Sequence, residues 1–329
     1  MPTEDHSPKV RKAIITDAGF ASRYLPVTKT LPKAMLPLGN KPIMQFMVEE
    51  CLEAGITEII IVATPEGKPI YEDYFHNSLI RIKKQLTAQG KAERYAEVQA
   101  ILDYPSKIIV ITQDESLPYG NGAPVASAQK YVEGEEAFLV LYSDDMVFGS
   151  PGDAKALVTA YSANPDASAI IMAQMVAKEV VDKYGIISFK KNSESELDHI
   201  VEKPDLGTEP SQLASYGRYL LKPSIFTFLT PNGTGKDNEL WTVDAITQVA
   251  KNKKVLVEQT KGEWLTTGDP ENYFRAHLKY VLEKEKYGSK VLGWLNEFKS
   301  VWKLAQFAVR LIVVRIKSHL HNQAGGVRT

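Results

Sequence analysis

The chain of 329 residues holds a single cysteine, Cys51, and six histidines. One cysteine excludes an intramolecular disulfide framework and any cysteine-based zinc cluster, and it fits a reducing compartment. Cys51 falls in the helical stretch Ile43–Ala54 and reads as a small core hydrophobe. The histidines are scattered, with neither an HxxxH pair nor a Ser/His/Asp arrangement, which argues against zinc sites and hydrolytic triads. No apolar run reaches the ~20 residues that a spanning helix needs. Met1–Pro8 is polar and lacks an apolar core, so no secretory signal is expected there and the expected location is cytoplasmic.

Acidic residues are missing from one long stretch. From Phe298 to Thr329 there is no Asp or Glu, while Lys299, Lys303, Arg310, Arg315, Lys317 and Arg328 supply six positive charges. The whole chain carries 39 basic and 40 acidic side chains, a net charge of −1, so taking away those six leaves −7 for residues 1–297. An acidic body argues against a whole-protein nucleic-acid platform. With 44% hydrophobic and 24% charged residues, the composition is globular and sufficient for a substantial core.

What is present is an alternation of strand and helix patterns. Apolar strand signals at Lys12–Thr16, Glu58–Ala63, Ile108–Thr112 and Ala137–Tyr142 are separated by helical patterns at Ile43–Ala54, roughly Pro69–Leu86 and Ala123–Val132. This order predicts βαβ units around a mainly parallel sheet. A second pattern follows: strands at Ser168–Val176, Tyr184–Phe189, Leu197–Val201 and Ser215–Leu221, a helix at Glu239–Ala250, a strand at Val255–Glu258, and a helix from Pro270 to about Tyr287. No internal repeat or low-complexity linker interrupts the chain, which favours one compound fold.

Ligands of such sheets bind at the carboxyl ends of the strands, so the residues after each strand carry the chemistry. The first strand ends in the small-residue turn Asp17–Ala18–Gly19, with Arg23 close behind and Lys33 in a loop stiffened by Pro32 and Pro37. A small turn lets backbone N–H groups approach phosphate, and converging cations suit the triphosphate end of a nucleotide. Gln113 and Tyr119–Gly120–Asn121–Gly122 follow another strand, and Ser143–Asp144–Asp145 follows a third. Asp144 is a candidate Mg2+ ligand, since that ion takes one or two carboxylates plus phosphate oxygens. Adjacent acids point different ways, which leaves Asp145 for a turn. Glu202–Lys203–Pro204 closes a strand and offers an acceptor for sugar hydroxyls beside a cation for a sugar phosphate.

Together these residues resemble the sugar-1-phosphate nucleotidyltransferases, most closely the bacterial UTP–glucose-1-phosphate uridylyltransferase group. The resemblance runs from about Lys12 to Lys303. It rests on Ala18–Gly19 with Arg23 and Leu25–Pro26, on Leu31–Pro32–Lys33 with Met35–Leu36–Pro37, and on Gln113, Gly120–Asn121–Gly122 and Ser143–Asp144–Asp145. It continues through Tyr184–Gly185–Ile186, Ile200–Val201–Glu202–Lys203–Pro204, Gly217–Arg218–Tyr219, Glu239–Leu240–Trp241–Thr242–Val243–Asp244 and Trp264–Leu265–Thr266–Thr267–Gly268–Asp269–Pro270.

The resemblance implies a Rossmann-like α/β fold: a mixed, mainly parallel sheet flanked by helices, with a smaller β-rich sugar-binding portion. It implies a transferase domain at 12–290 with a nucleotide half (12–165) and a sugar half (166–290); a polar tail at 1–11 and a basic C-terminal segment at 291–329 flank it. The activity implied is transfer of a uridylyl group from UTP to glucose 1-phosphate, giving UDP-glucose and pyrophosphate with Mg2+. Ala18, Gly19, Gln113 and Gly120 would hold uracil, Arg23 and Lys33 would face the phosphates, and Asp144 would hold the metal. Gly185, Glu202 and Lys203 would receive glucose 1-phosphate, with Gly217 and Arg218 shaping its pocket. Use of dTTP or of another sugar phosphate stays open, as does a family member that binds nucleotide sugar and catalyses weakly.

Three positions depart from the family pattern. Ala21 stands where Gly is usual, followed by Ser22 for Thr. Thr266 stands where a second metal-binding Asp is expected, with Asp269 three residues on. Ala123 stands where the subgroup often has His. Toward the end, Val291–His319 reads as a helix on which Lys303, Arg310 and Lys317 recur every seven residues beside a wide apolar face. That face suits packing on the body or self-association into a homo-oligomer. Trp302 and the basic stripe also suit contact of 298–329 with an anionic membrane surface.

Overall fold

In a computed structural model, residues 10–299 are described. The chain divides between Ala276 and His277 into two compact units. The strands in chain order are β1 (Val10–Asp17), β2 (Pro37–Leu38), β3 (Lys41–Pro42), β4 (Glu58–Ala63), β5 (Lys107–Thr112), β6 (Ala137–Tyr142), β7 (Asp145–Phe148), β8 (Ala169–Met175), β9 (Gly185–Phe189), β10 (Leu197–Glu202), β11 (Leu213–Leu221), β12 (Val255–Gln259) and β13 (Glu263–Thr266). The helices are α1 (Ile43–Glu53), α2 (Lys68–His76), α3 (Ile80–Ala88), α4 (Ala96–Leu102), α5 (Gly122–Ser127), α6 (Gln129–Val132), α7 (Asp153–Ala163), α8 (Thr242–Ala250) and α9 (Pro270–Lys284).

Nine strands form one sheet, ordered β10-β9-β11-β6-β1-β4-β5, with β8 and β12 continuing from β11 on a second branch. The pairs β1–β4, β4–β5, β1–β6 and β8–β12 are parallel, whereas β11 runs antiparallel to β6, β8 and β9. This is the expected mixed, mainly parallel sheet. Its centre reads as unbroken apolar runs such as Ile59–Ala63, because a strand covered by helices on both faces has no solvated side. Ile14, Ile60, Val140, Ile171 and Leu221 lie in one buried cluster, where Phe138 stacks on Phe226 at 5.6 Å between centroids. Cys51 is buried on α1, and burial pushes its thiol pKa up, which makes it inert packing.

Two expected helices are interrupted. The stretch near Pro69–Leu86 breaks into α2 and α3 because Asn77 forms a local turn: its Oδ1 accepts the Leu79 N–H at 2.9 Å and Leu79 takes a left-handed φ of 44°. Ala123–Val132 likewise divides into α5 and α6. Elements β7, β13, α4 and α7 have no counterpart in the sequence reading. Residues 288–299 are helical beyond α9, and the expected continuation to His319 lies outside the described residues. No described helix is long and apolar enough to cross a membrane.

Candidate active site

The parallel strands β5, β4, β1 and β6 present their carboxyl ends along one sheet edge, and their pairing runs one residue further. Gln113 N–H donates to the Ala63 carbonyl at 3.0 Å, and Ser143 N–H to that of Thr16 at 3.2 Å. After β1 the chain turns through Ala21, held at φ 46° and ψ 40°, into the short turn Ser22–Tyr24 that carries Arg23. A non-glycine residue in this left-handed region costs about 1 kcal/mol. Arg23 Nη1 reaches the Gly268 carbonyl at 3.4 Å. Lys33 opens a further short turn, Lys33–Met35, directly after Pro32, and its Nζ donates to Asp144 Oδ2 at 2.6 Å.

This pair stands between two cavities. Lys33 lines one of about 330 Å³ together with Asp17, Gly19, Ala21 and Lys29. Asp144 lines a larger cleft of about 780 Å³ together with Arg23, Gly185, Glu202, Lys203 and Gly217. Burial works against ionising either partner, but each answers the other: the Lys33 ammonium holds the Asp144 carboxyl below the usual carboxylate range, and Asp144 with Asp17 holds the ammonium pKa above its ordinary value.

Across the cleft, antiparallel pairing of β9 with β10 sets Gly185 opposite Glu202. Lys203 follows with a φ of 48°. Its Nζ lies 3.7 Å from Glu202 Oε1 and 5.1 Å from the centre of the Trp241 ring. The bend is fixed by Lys203 N–H donating to the Tyr184 carbonyl at 3.0 Å. A carboxylate and an ammonium thus face the cleft from one short turn.

The floor of the cleft is braced by a network of buried groups. Asp145 is buried, and its Oδ2 accepts the Gly217 N–H at 2.8 Å while Oδ1 accepts Trp264 Nε1–H at 2.7 Å. Burial, and then the charge of Asp144, pushes the Asp145 pKa up to about 6. Gly217 sits where the β11 register shifts, and a Cβ there would meet Tyr142 at 2.3 Å. Trp264 stacks on Tyr216 at 4.8 Å, and the Tyr216 hydroxyl donates to the Asp153 carboxylate at the start of α7. Arg218 is fully buried. Its guanidinium donates to both Glu50 oxygens, at 3.0 and 2.9 Å, and to the carbonyls of Tyr142, Gly217 and Asp145. Arg218, expected to shape the sugar-phosphate pocket, is thus held beneath the floor, with its charge answered by Glu50.

The sequence matches the nucleotidyl transferase family over residues 12–283. The chain belongs to that family. A Bacillus subtilis (strain 168) relative, UTP–glucose-1-phosphate uridylyltransferase YngB, is 35% identical over 291 residues, covering 88% of this chain and 95% of that protein. Among solved structures, UTP-bound UGPase from Acinetobacter baumannii is 31% identical with a TM-score of 0.78, covering 88% of this chain and 99% of that one. A UDP-glucose pyrophosphorylase complexed with UDP-glucose is 32% identical with a TM-score of 0.72, covering 84% and 100%.

In this nucleotidyl transferase the remaining candidates fall at the same sheet edge. Ala18 and Gly19 follow β1, and Gln113 and Gly120 follow β5. Gly120 has a φ of 135°, and a Cβ on it would lie 2.3 Å from the Leu240 carbonyl oxygen, so that approach requires glycine. Thr266 does lie beside Asp144: its Oγ1 is 3.4 Å from the Asp144 carbonyl oxygen and accepts the Gly268 N–H at 3.0 Å. Asp269 lines the same cleft as Asp144 and Thr266. Its carboxylate caps α9, accepting from Asn272 N–H at 3.0 Å and Asn272 Nδ2 at 2.7 Å. Among the described residues, no three His, Cys, Asp or Glu side chains converge on a metal position. Sequence reasoning missed Glu50 and Asp153, whose partners lie 168 and 63 residues away, and it read Asp17 as turn only.

Proposed function

We propose that this nucleotidyl transferase joins UTP to glucose 1-phosphate, giving UDP-glucose and pyrophosphate. The observation that carries the reading is the cleft itself, lined by Arg23, Asp144, Glu202 and Lys203, with Lys33 donating to Asp144 from the adjoining cavity, at the strand ends of a sheet shared with UTP- and UDP-glucose-bound relatives.

In this reading the backbone at Ala18 and Gly19, with Gln113 and Gly120, holds uracil, and Arg23 and Lys33 face the phosphates. Gly185, Glu202, Lys203 and Gly217 receive the sugar phosphate. A phosphate oxygen of glucose 1-phosphate attacks the α-phosphorus in line; the new P–O bond forms as the bond to the bridging oxygen of pyrophosphate breaks. Positioning and charge neutralisation dominate such transfers, which suits a site rich in fixed cations. The donor set also fits Mg2+: Asp144 is one-third exposed to the cleft and already faces a cation, and this ion needs one or two carboxylates besides phosphate oxygens. Held by Asp144, Mg2+ would offset charge on the phosphate oxygens.

The nucleotide half spans 12–165, the sugar half 166–290, and the basic segment 291–329 serves self-association. Contact of 298–329 with an anionic membrane is the alternative for that segment. Liposome co-sedimentation of chains with and without 298–329 separates the two, equal binding by both excluding the membrane role.

The test of function is release of pyrophosphate from UTP, glucose 1-phosphate and Mg2+, with dTTP and other hexose 1-phosphates run in parallel. Turnover with UTP and glucose 1-phosphate well above the others supports the reading. The Thr266 hydroxyl beside Asp144 favours a second one, a nucleotide-sugar-binding protein that catalyses weakly; tight UDP-glucose binding without turnover would establish it.

A further inference from the structure

Asp17 takes no part in the transfer as described, yet it is tied to both sides of the phosphate region. It closes β1, one residue before the Ala18–Gly19 turn, and both of its carboxylate oxygens are engaged. Oδ1 accepts from Ser143 Oγ at 2.7 Å, and Oδ2 accepts from the hydroxyl of Tyr71 on α2. Ser143 directly precedes Asp144, so one carboxylate joins the turn after β1 to the turn that carries Asp144.

Asp17 also lines the 330 Å³ cavity with Lys33. There its charge reinforces that of Asp144 on the ammonium, while burial, the largest influence on Asp17 itself, raises its own pKa. Burying a carboxylate is costly unless it is paired and hydrogen-bonded. A joint between two turns needs an acceptor, which a neutral amide would supply. The charge is accounted for by Lys33, whose partner Asp144 is the same group that the reaction assigns to a metal.

We propose that Asp17 is a positioning residue for nucleotidyl transfer: the charge of its carboxylate holds the Lys33 ammonium at the phosphates when Asp144 engages a metal–nucleotide complex. This rests on the reading of the cleft as a nucleotide site. A second negative charge beside Asp144 also disfavours metal-free UTP more than its Mg2+ complex, because the free nucleotide is the more negative ligand.

Calorimetric titration with UTP, in EDTA and in Mg2+, tests the inference without turnover. Asp17→Asn keeps the shape and removes the charge; the factor by which Mg2+ strengthens UTP binding is expected to fall at least fivefold. In the steady state, kcat is expected to fall at least tenfold with the KM for glucose 1-phosphate within twofold. Ser143→Ala and Tyr71→Phe remove donors and keep the charge, and each is expected to leave the Mg2+ factor within twofold. If Asp17→Asn does not fold, Asp17→Ala combined with Ser143→Ala and Tyr71→Phe strips the carboxylate with both donors and gives the same readout. An unchanged Mg2+ factor in the charge-removing variant, or an equal fall in the donor variants, would overturn the inference while leaving the nucleotide site intact. No UTP binding by the parent protein in either condition would overturn the site reading and the inference together.

Discussion

The 2.6 Å contact between Lys33 and Asp144 joins residues 111 positions apart, and each side chain offsets the burial of the other. Asp144→Asn removes the carboxylate while keeping its shape; turnover is expected to fall on the order of a hundredfold, as when one group aimed at developing charge is lost. The melting transition should persist, and near-normal turnover would remove Asp144 from the site. Thr266 makes the complementary case. Its Oγ1 already sits beside the Asp144 backbone, so Thr266→Asp would put a second carboxylate where the ion is expected. The Mg2+ concentration for half-maximal rate is then expected to drop about tenfold, within the one-or-two-carboxylate habit of this ion; an unchanged value would mean that Thr266 does not face the ion. Ala21 is the third residue-scale case. It holds φ 46°, so Ala21→Gly should raise stability by about 1 kcal/mol in a chemical-denaturation curve. The need for a permissive residue there was legible from the family pattern, whereas the angle required the fold.

At the scale of elements, the short antiparallel pair β7–β13 sets Thr266 opposite Asp145 and so brings the late loop to the end of β6. Neither strand was legible: each has four residues, and each is held by partners distant in sequence, as when Asp145 accepts from Trp264. The long central strands were legible because two-sided burial writes continuous apolar runs. Asp269 shows how a loop residue is taken up by an element, since it caps α9. Asp269→Ala is expected to cost about 1 kcal/mol in a denaturation curve. The hydrogen bonds from Asn272 overcome burial and hold the Asp269 pKa below its usual value, so the cap's contribution is present above pH ~4 and is lost as pH falls through the lowered folded-state pKa. The same substitution should therefore matter less in strong acid. A cost that is constant down to pH ~2 would contradict the charged cap.

Across the whole molecule, charge is divided between a site and a scaffold. Arg23, Lys33 and Lys203 point toward the cavities, whereas Arg218 is withdrawn beneath the floor onto Glu50. Sequence proximity to Gly217 could not distinguish these roles, because β-strand neighbours face opposite sides of the sheet. Glu50→Gln leaves the buried guanidinium short of its main counter-charge and is expected to cost about 3 kcal/mol of stability. The KM for glucose 1-phosphate should stay within about twofold; a larger change in KM than in stability would return Arg218 to the binding site. The net charge of −1 likewise conceals a division, six positive charges after residue 297 against −7 before it. The cations that matter for phosphate are few and fixed by the fold.

The most direct measurement runs the proposed reaction backwards. Radiolabelled pyrophosphate is incubated with the protein, UDP-glucose and Mg2+. Label is expected in UTP, with an equal amount of glucose 1-phosphate formed. Tight binding of UDP-glucose with no label entering UTP would contradict the assignment as a uridylyltransferase.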